Sequence, residues 1–188
     1  IRDRAILHEM MVVTGGKKAG KESFTDRLTK LEIIGVYSPI GHEMQMPFSM
    51  VLSSVLAKQR RILYINLMQN TGFLQLFDSQ AEYDIGDLTL RLRRGTTESE
   101  QFFQSIYEMG DFSYVAPFRN PEQLGEFQMD DYRKLLAHLE ENTKFDTVVF
   151  DFGTGIPSIA AFLEECSSIY CPVKEGYFYD CLLYTSPS

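Results

Sequence analysis

The sequence predicts an α/β fold in which a mostly parallel, doubly wound sheet carries helices on both faces. Short apolar runs rich in β-branched residues alternate along the chain with segments of helical period. Continuous apolar runs are typical of strands that are buried on both faces, and their alternation with helices predicts parallel strands joined by right-handed crossovers. No internal repeat or low-complexity tract interrupts this alternation.

Five apolar runs are expected to form the strands. Each is short and rich in β-branched or aromatic residues, as buried strands are. In the fourth run, Val148, Val149 and Phe150 follow one another, which makes it the least ambiguous strand of the chain. The predicted strands cover residues 31–37, 62–67, 112–116, 145–151 and 167–172.

The segments between these runs have the spacing of amphipathic helices. The first of them, residues 47–58, begins at Pro47, which suits a first turn because its missing N–H would have no partner there. Its apolar residues recur at spacings of three and four: Phe48, Val51, Leu52, Val55 and Leu56. Further helices are expected over residues 84–94, 98–109, 130–141 and 156–166, with Asp130 as an N-cap.

Three regions of different character divide the chain. Residues 1–30 are expected to be the end of an N-terminal domain and its linker, with a short helix over 1–12 and a Gly/Lys-rich stretch over 14–30. Residues 31–180 are expected to form the α/β domain, truncated at its C-terminus. Residues 181–188 resemble a translated sequencing adapter, so this tail is expected to be non-native.

Composition narrows the classes of function. A net charge of −8 argues against a broad nucleic-acid-binding surface, which needs clustered Lys and Arg. Small basic clusters at 58–61 and 91–94 are interpreted as solvated helix ends. The three cysteines, Cys166, Cys171 and Cys181, lack metal-ligand spacing. No apolar run approaches a membrane span and no signal peptide is visible, so a cytoplasmic location is expected.

The loop after the first strand is where an open parallel sheet would bind a ligand. From residue 38 to 47 it runs Ser-Pro-Ile-Gly-His-Glu-Met-Gln-Met-Pro. Here the chain resembles the MinD/ParA family of deviant phosphate-loop ATPases, whose loop runs Lys-Gly-Gly-x-Gly-Lys-Thr-Thr. The resemblance covers residues 31 to about 180, and the run 56–58 and the second strand fall at the family's spacing. It implies a phosphate-loop NTPase fold of the MinD type.

On that register the loop is a degenerate Walker A motif. Gly41 keeps the first glycine. The other positions have changed: Ile40 stands at the signature lysine, His42 and Met44 at the later glycines, Gln45 at the phosphate lysine, Met46 at the magnesium-binding hydroxyl and Pro47 at the following threonine. Phosphoryl transfer depends on positioning and charge stabilisation, so these losses predict catalysis reduced by several orders of magnitude.

Two further positions of the family site lie at strand ends. Asn66 stands where the second strand would end in Asp, and Asp151 matches the Walker B region. Asp151 is the one group left for a metal, and it equally suits a helix or turn cap. The resemblance therefore implies a vestigial nucleotide site without catalytic residues, for which ATP and Mg²⁺ are the cofactors to test. Its members are Gly41, His42, Gln45, Met46, Pro47, Asn66 and Asp151.

Finer matches over residues 64–67, 71–73 and 169–173 resemble the TadZ/CpaE-like proteins, which position or assemble pilus-type secretion machines. This resemblance implies protein partners, a homodimer as one option, membrane association only through those partners, and recruitment to the cell pole. The helices after the second and third strands are the first places to look for a partner surface.

Two functions remain open from the sequence. The first is a non-hydrolysing scaffold or localisation factor, since the fold does not need the phosphate site. The second is a nucleotide-binding protein or slow ATPase with a non-standard loop. In that alternative, backbone amides near Met46 and Pro47 would attract an anion and Asp151 would hold a metal through water.

Overall fold

Seven strands build one sheet in this computed structural model, which describes residues 10–13, 31–69, 72–76, 81–95, 99–142 and 144–174. In chain order they are β1 (Met10–Val13), β2 (Glu32–Tyr37), β3 (Ile62–Leu67), β4 (Ile106–Met109), β5 (Phe112–Val115), β6 (Thr147–Phe152) and β7 (Ser168–Pro172). They lie in the order β1-β7-β2-β6-β3-β5-β4.

The five inner strands are parallel, which confirms the predicted sheet. β6 lies between β2 and β3, so Val36 and Asn66 flank Asp151 in register. The edge strands run the other way: β1 pairs antiparallel with β7, and β4 pairs antiparallel with β5. The carboxyl ends of β2, β3 and β6 therefore meet at one edge, which is where the loop between β2 and the first helix begins.

Helices cover both faces of the sheet, as predicted. They are α1 (Gln45–Ala57), α2 (Phe73–Leu76), α3 (Ile85–Arg94), α4 (Ser99–Phe103), α5 (Met129–Asn142) and α6 (Ile159–Glu164), with a 3₁₀ helix at Pro121–Glu126. Buried side chains of α3, α5 and α6 form the larger core cluster with one face of the sheet. α1 packs on the second cluster, around Ile34, Val36 and Tyr64.

Both ends of α3 are defined by capping residues that are recognisable in the local sequence. Asp84 accepts a hydrogen bond from the N–H of Asp87, and the Asp87 side chain accepts one from the N–H of Asp84, which makes a complete capping box. Gly95 ends the helix in the left-handed conformation, with a φ of 66°. The predicted helix over 84–94 is thus confirmed at both ends.

One predicted helix is wrong. Residues 98–109 are not continuous helix, because α4 ends at Phe103 and β4 pairs antiparallel with β5. The turn between these strands contains Gly110, whose φ of 59° suits a tight hairpin. The apolar residues over 98–109 fit a helical period. The hairpin formed at this turn nevertheless pairs the second half of the segment with β5, so that half is a strand.

Other boundaries also differ from the predictions. Met10–Val13 is a strand where the end of a helix over 1–12 is expected, and α6 is shorter than residues 156–166. Asp130 is not an N-cap, because α5 already begins at Met129. Instead the neighbouring Asp131 accepts the N–H of Gln128 at 2.9 Å and binds Arg93.

Part of the predicted domain organisation lies outside the described residues. This holds for the linker over 14–30, for most of the helix over 1–12 and for the tail over 181–188. Among the residues that are described, none of the helices has both the length and the apolar character needed to cross a membrane.

Candidate functional site

The loop between β2 and α1 is shaped by a tight turn at its start. Gly41 donates its N–H to the carbonyl of Ser38 at 3.0 Å. The φ of Gly41 is 62°, in the left-handed region that glycine adopts without strain. A side chain at this position would meet no neighbouring atom within 4 Å, so the backbone angle alone favours glycine.

His42 holds the turn that leads into α1, whose N-cap residue is Met44. His42 is only 5% exposed. Its Nδ1 accepts the N–H of Met44 at 3.0 Å, and its carbonyl accepts the N–H of Gln45 at 3.0 Å. Pro47, in the first turn, has no N–H to offer. The donors that would cradle a phosphate at a helix N-terminus are therefore largely used within the protein or missing.

Gln45 lies at the centre of the site and is 1% exposed. Its Oε1 accepts the N–H of Ser38 at 2.8 Å. Its Nε2 lies 2.6 Å from Oδ1 of Asp151 and 2.8 Å from the carbonyl oxygen of Phe152, and these two acceptors take its two N–H groups. One side chain thus ties the end of β2 to the end of β6.

Asp151 is fully buried and accepts hydrogen bonds from neutral donors. Besides Gln45, these donors are the Ser49 hydroxyl at 2.6 Å and the Tyr64 hydroxyl at 3.0 Å, both on Oδ2. Burial raises the pKa of Asp151 to about 6, although the hydrogen bonds from Ser49, Gln45 and Tyr64 oppose that rise. Both carboxylate oxygens are therefore engaged in a pocket that disfavours their charge.

Asn66 extends the network on the far side of Tyr64. Its Nδ2 donates to the Tyr64 hydroxyl at 3.1 Å, and its Oδ1 accepts the N–H of Met68 at 2.9 Å. Burial, followed by the nearby charge of Asp151, raises the pKa of Tyr64 well above its usual value. Tyr64 therefore stays protonated and remains a donor to Asp151. We call the connected side chains of Gln45, Ser49, Tyr64, Asn66 and Asp151 the Asp151 network.

The sequence singled out three members of this network and missed two. Gln45, Asn66 and Asp151 were expected at the site, whereas Ser49 and Tyr64 were not. Ser49 has a recognisable pattern, because Gln45, Ser49 and Ser53 recur every four residues on an otherwise apolar helix and all three are buried. Of the other expected residues, Gly41 and His42 shape the loop. Met46, together with its neighbours in α1, packs against the second core cluster.

The spacing of its apolar residues predicts the inward side of α1 only in part: Phe48, Leu52 and Leu56 pack against the second core cluster, but the two valines do not. Val51 and Val55 are 62% and 55% exposed, whereas the polar Ser49 and Ser53 face the sheet and are fully buried. The physical reason is the carboxylate of Asp151 beneath the helix, which needs a donor such as Ser49.

An ion pair holds the outer side of the loop. Glu43 binds Lys174, which lies just beyond β7, and the hydrogen bond from Lys174 lowers the pKa of Glu43. Both groups are close to solvent, so the pair contributes little stability.

These residues do not fit Mg–ATP as they are arranged. Gln45 carries no charge that could neutralise a phosphate, and its amide is hydrogen-bonded to the Asp151 carboxylate, the buried anion of the site. Among the described residues, no group of three or more His, Cys, Asp or Glu side chains is placed to hold a metal ion. A phosphate or metal would have to break the Asp151 network to enter.

Comparison with solved structures finds this fold in ParA-type ATPases. A ParA family ATPase from Chlorobium tepidum is similar with a TM-score of 0.59 and 13% identity, over 73% of this chain and 58% of that one. A protein assigned to plasmid partition in Borrelia burgdorferi, bound to AMPPNP, is similar with a TM-score of 0.58 and 14% identity, over 82% and 68%. An McdA–ATP complex from Cyanothece gives 0.51 and 14%, over 71% and 52%.

Sequence comparison adds nothing to these structural likenesses. No family model matches the chain, and no curated protein matches it. The chain spans 58% of the length of the Chlorobium protein, and identities of 13–14% show the fold alone. The chain has the phosphate-loop α/β fold of the ParA/MinD-type ATPases.

Proposed function

We propose that this chain is a non-hydrolysing ParA/MinD-like protein that works as a scaffold or localisation factor. The observation that carries this proposal is the contact of 2.6 Å between the Gln45 amide and Asp151. From the resemblance of the loop to the family's motif, we infer that Gln45 stands at the position of the phosphate lysine and Asp151 at that of the Walker B carboxylate. Their direct hydrogen bond fills the site with protein groups.

The site lacks the cationic groups that catalysis of phosphoryl transfer requires. Phosphoryl transfer needs cations around the γ-phosphate and a metal bridging the phosphates. The network offers two neutral amides, two hydroxyls and a carboxylate, and outside it the charge of Glu43 is paired with Lys174. Introducing a triphosphate would cost the hydrogen bonds of a fully buried carboxylate without supplying a compensating cation.

Partners and location belong to the same proposal. We infer a cytoplasmic protein that binds other proteins and is recruited to the cell pole or the inner face of the membrane by them, in pilus or secretion assembly of the TadZ/CpaE-like type. The similarity of the fold to a protein assigned to plasmid partition supports a positioning role. The matches over residues 64–67 and 169–173 favour the TadZ/CpaE-like branch.

A second candidate is a protein that binds nucleotide or turns it over slowly. It is favoured by the AMPPNP and ATP bound to two structures of the same fold, and by the retention of Gly41 and Asp151. This function would require Gln45 to leave Asp151 so that a metal could reach the carboxylate. The two candidates therefore differ in whether the Asp151 network opens.

Phosphate release from Mg–ATP by the full chain tests the proposal. We expect a rate no higher than that of Mg–ATP alone, unchanged by Asp151→Asn, which keeps the shape of the side chain and removes its charge. Turnover by the wild type that disappears in Asp151→Asn would establish the second candidate instead. Gln45→Lys serves as a comparison, since it restores the lysine without the glycines or the metal-binding hydroxyl.

A further inference from the structure

α1 carries exposed apolar residues on its outer side, while its buried side includes the polar Gln45, Ser49 and Ser53. No charged residue occurs within Gln45–Ala57. We call Met44, Phe48, Val51 and Val55 the α1 stripe. Met44, Val51 and Val55 are 55%, 62% and 55% exposed, and Phe48 is half-buried between them. The stripe thus runs from the N-cap of the helix to its last turn; its outward part is Met44, Val51 and Val55, because Phe48 also packs against the second core cluster.

An outer surface of this kind is unusual for a helix in contact with water. Surface helices carry polar or charged residues on their outward side, and helices that are apolar all round are normally covered. Exposed valines also lower helix propensity without gaining burial. The successive spacings of four, three and four residues in the stripe are those of a helix–helix pairing seam.

The charges at the two ends of α1 indicate what covers it. Glu43 precedes the helix and is 65% exposed, while the exposed Lys58 follows it; Arg60 and Arg61, further along, are already paired with Glu32 and Asp146. If a second α1 lies antiparallel to the first, Glu43 of each copy comes to lie beside Lys58 of the other, and the helix dipoles also oppose. A parallel copy would bring like charges together.

We propose that the α1 stripe pairs antiparallel with the α1 stripe of a second copy of this chain, around a two-fold axis near Val51. Self-complementary charge at both ends is the property that an isologous interface requires. The proposal does not depend on whether the site binds nucleotide, because Val51 and Val55 are exposed whereas Gln45 and Ser49 are buried against the sheet.

The size of the contact predicts a weak dimer. A helix of 13 residues is about 20 Å long, so the interface falls at the small end of specific contacts. The net charge of −8 on each copy opposes association over longer distances. Moderate salt screens this repulsion more than it weakens the apolar contact, so salt should favour the dimer.

Sedimentation equilibrium of the full chain tests the proposal. Between about 10 and 500 µM, we expect the average mass of the wild type to rise from that of one chain toward that of two. Val51→Glu with Val55→Glu should keep the protein monomeric throughout. Leu90→Glu is the matched control, since Leu90 is 45% exposed but lies on α3, on the other face of the sheet. The Leu90→Glu variant should dimerise as the wild type does.

Charge reversal tests the antiparallel arrangement itself. Glu43→Lys and Lys58→Glu should each weaken the dimer about fivefold, because each removes two symmetric pairs, and the double variant should restore it. Lys174→Met separates out the loss of the Glu43–Lys174 pair and should leave the dimer unchanged. A wild type that stays monomeric, a Val51/Val55 variant that still dimerises, or a double variant weaker than either single one would each overturn the proposal.

Discussion

Replacing Gln45 with alanine is expected to lower the free energy of unfolding by about 3 kcal/mol. The substitution leaves the buried Ser38 N–H without its acceptor and the Asp151 carboxylate without one of its donors. Each such loss costs about 1–3 kcal/mol, and the empty volume of the side chain adds to it. Urea unfolding at neutral pH measures the change.

Two variants separate the hydrogen bonds of Gln45 from its volume. Gln45→Met keeps nearly the same bulk, and if the hydrogen bonds dominate it should lose most of the stability that Gln45→Ala loses. Gln59→Ala, at an exposed position just after α1, should change stability by less than about 0.5 kcal/mol. A Gln45→Met variant as stable as the wild type would mean that Gln45 only fills space.

Asp151→Asn is expected to change how stability depends on pH. The folded-state pKa of Asp151 is about 6, because burial outweighs the hydrogen bonds from Ser49, Gln45 and Tyr64, and its ordinary value is 3.8. The free energy of unfolding of the wild type, minus that of Asp151→Asn, should therefore rise by about 1.4 kcal/mol as the pH falls from about 7.5 to about 5.

The sign follows from proton binding. Between pH 3.8 and about 6 the folded protein holds a proton on Asp151 that the unfolded chain has released. Protonation therefore stabilises the fold as the pH drops through 6, and the gain levels off below 3.8. Taking the difference from Asp151→Asn removes the contribution of the other carboxylates. A difference that falls with decreasing pH would show that Asp151 has a lowered pKa and therefore a cationic partner.

Most of the sheet could be predicted from the sequence because its inner strands are continuous apolar runs. β3 matches the expected residues 62–67 at both ends, and β6 and β7 differ from their predictions by at most two residues at either end. Strands that are buried on both faces are apolar at every position, so they stand out in the sequence as continuous apolar runs. The capping residues Asp84 and Gly95 defined α3 in the same local way.

Long-range contacts explain the predictions that failed. β4 becomes a strand through its pairing with β5, and this pairing overrides a helical spacing of apolar residues. The inward side of α1 is set by Asp151, more than one hundred residues away in the chain, which draws Ser49 toward the sheet. Hydrophobic period alone groups Val51 and Val55 with the inward-packed Leu52, and the structure leaves the two valines exposed.

At the site, too, the residues of a local motif could be predicted from the sequence, whereas the contacts between distant strands could not. The loop motif identified the positions of Gln45 and Asp151 by resemblance, and the structure places their side chains 2.6 Å apart. The part played by Tyr64 could not be predicted, because a tyrosine in an apolar strand is ordinarily a packing residue. Its hydroxyl meets Asp151 only because β3 and β6 are neighbours in the sheet.

Equilibrium binding of Mg–ATP, measured by calorimetry on the full chain, tests most directly whether Gln45 and Asp151 close the site. We expect no heat of binding at millimolar nucleotide, for the wild type and for Asp151→Asn alike. Micromolar binding by the wild type, weakened by Asp151→Asn, would contradict the account. It would mean that the Asp151 network opens readily and that the chain is a nucleotide-binding protein.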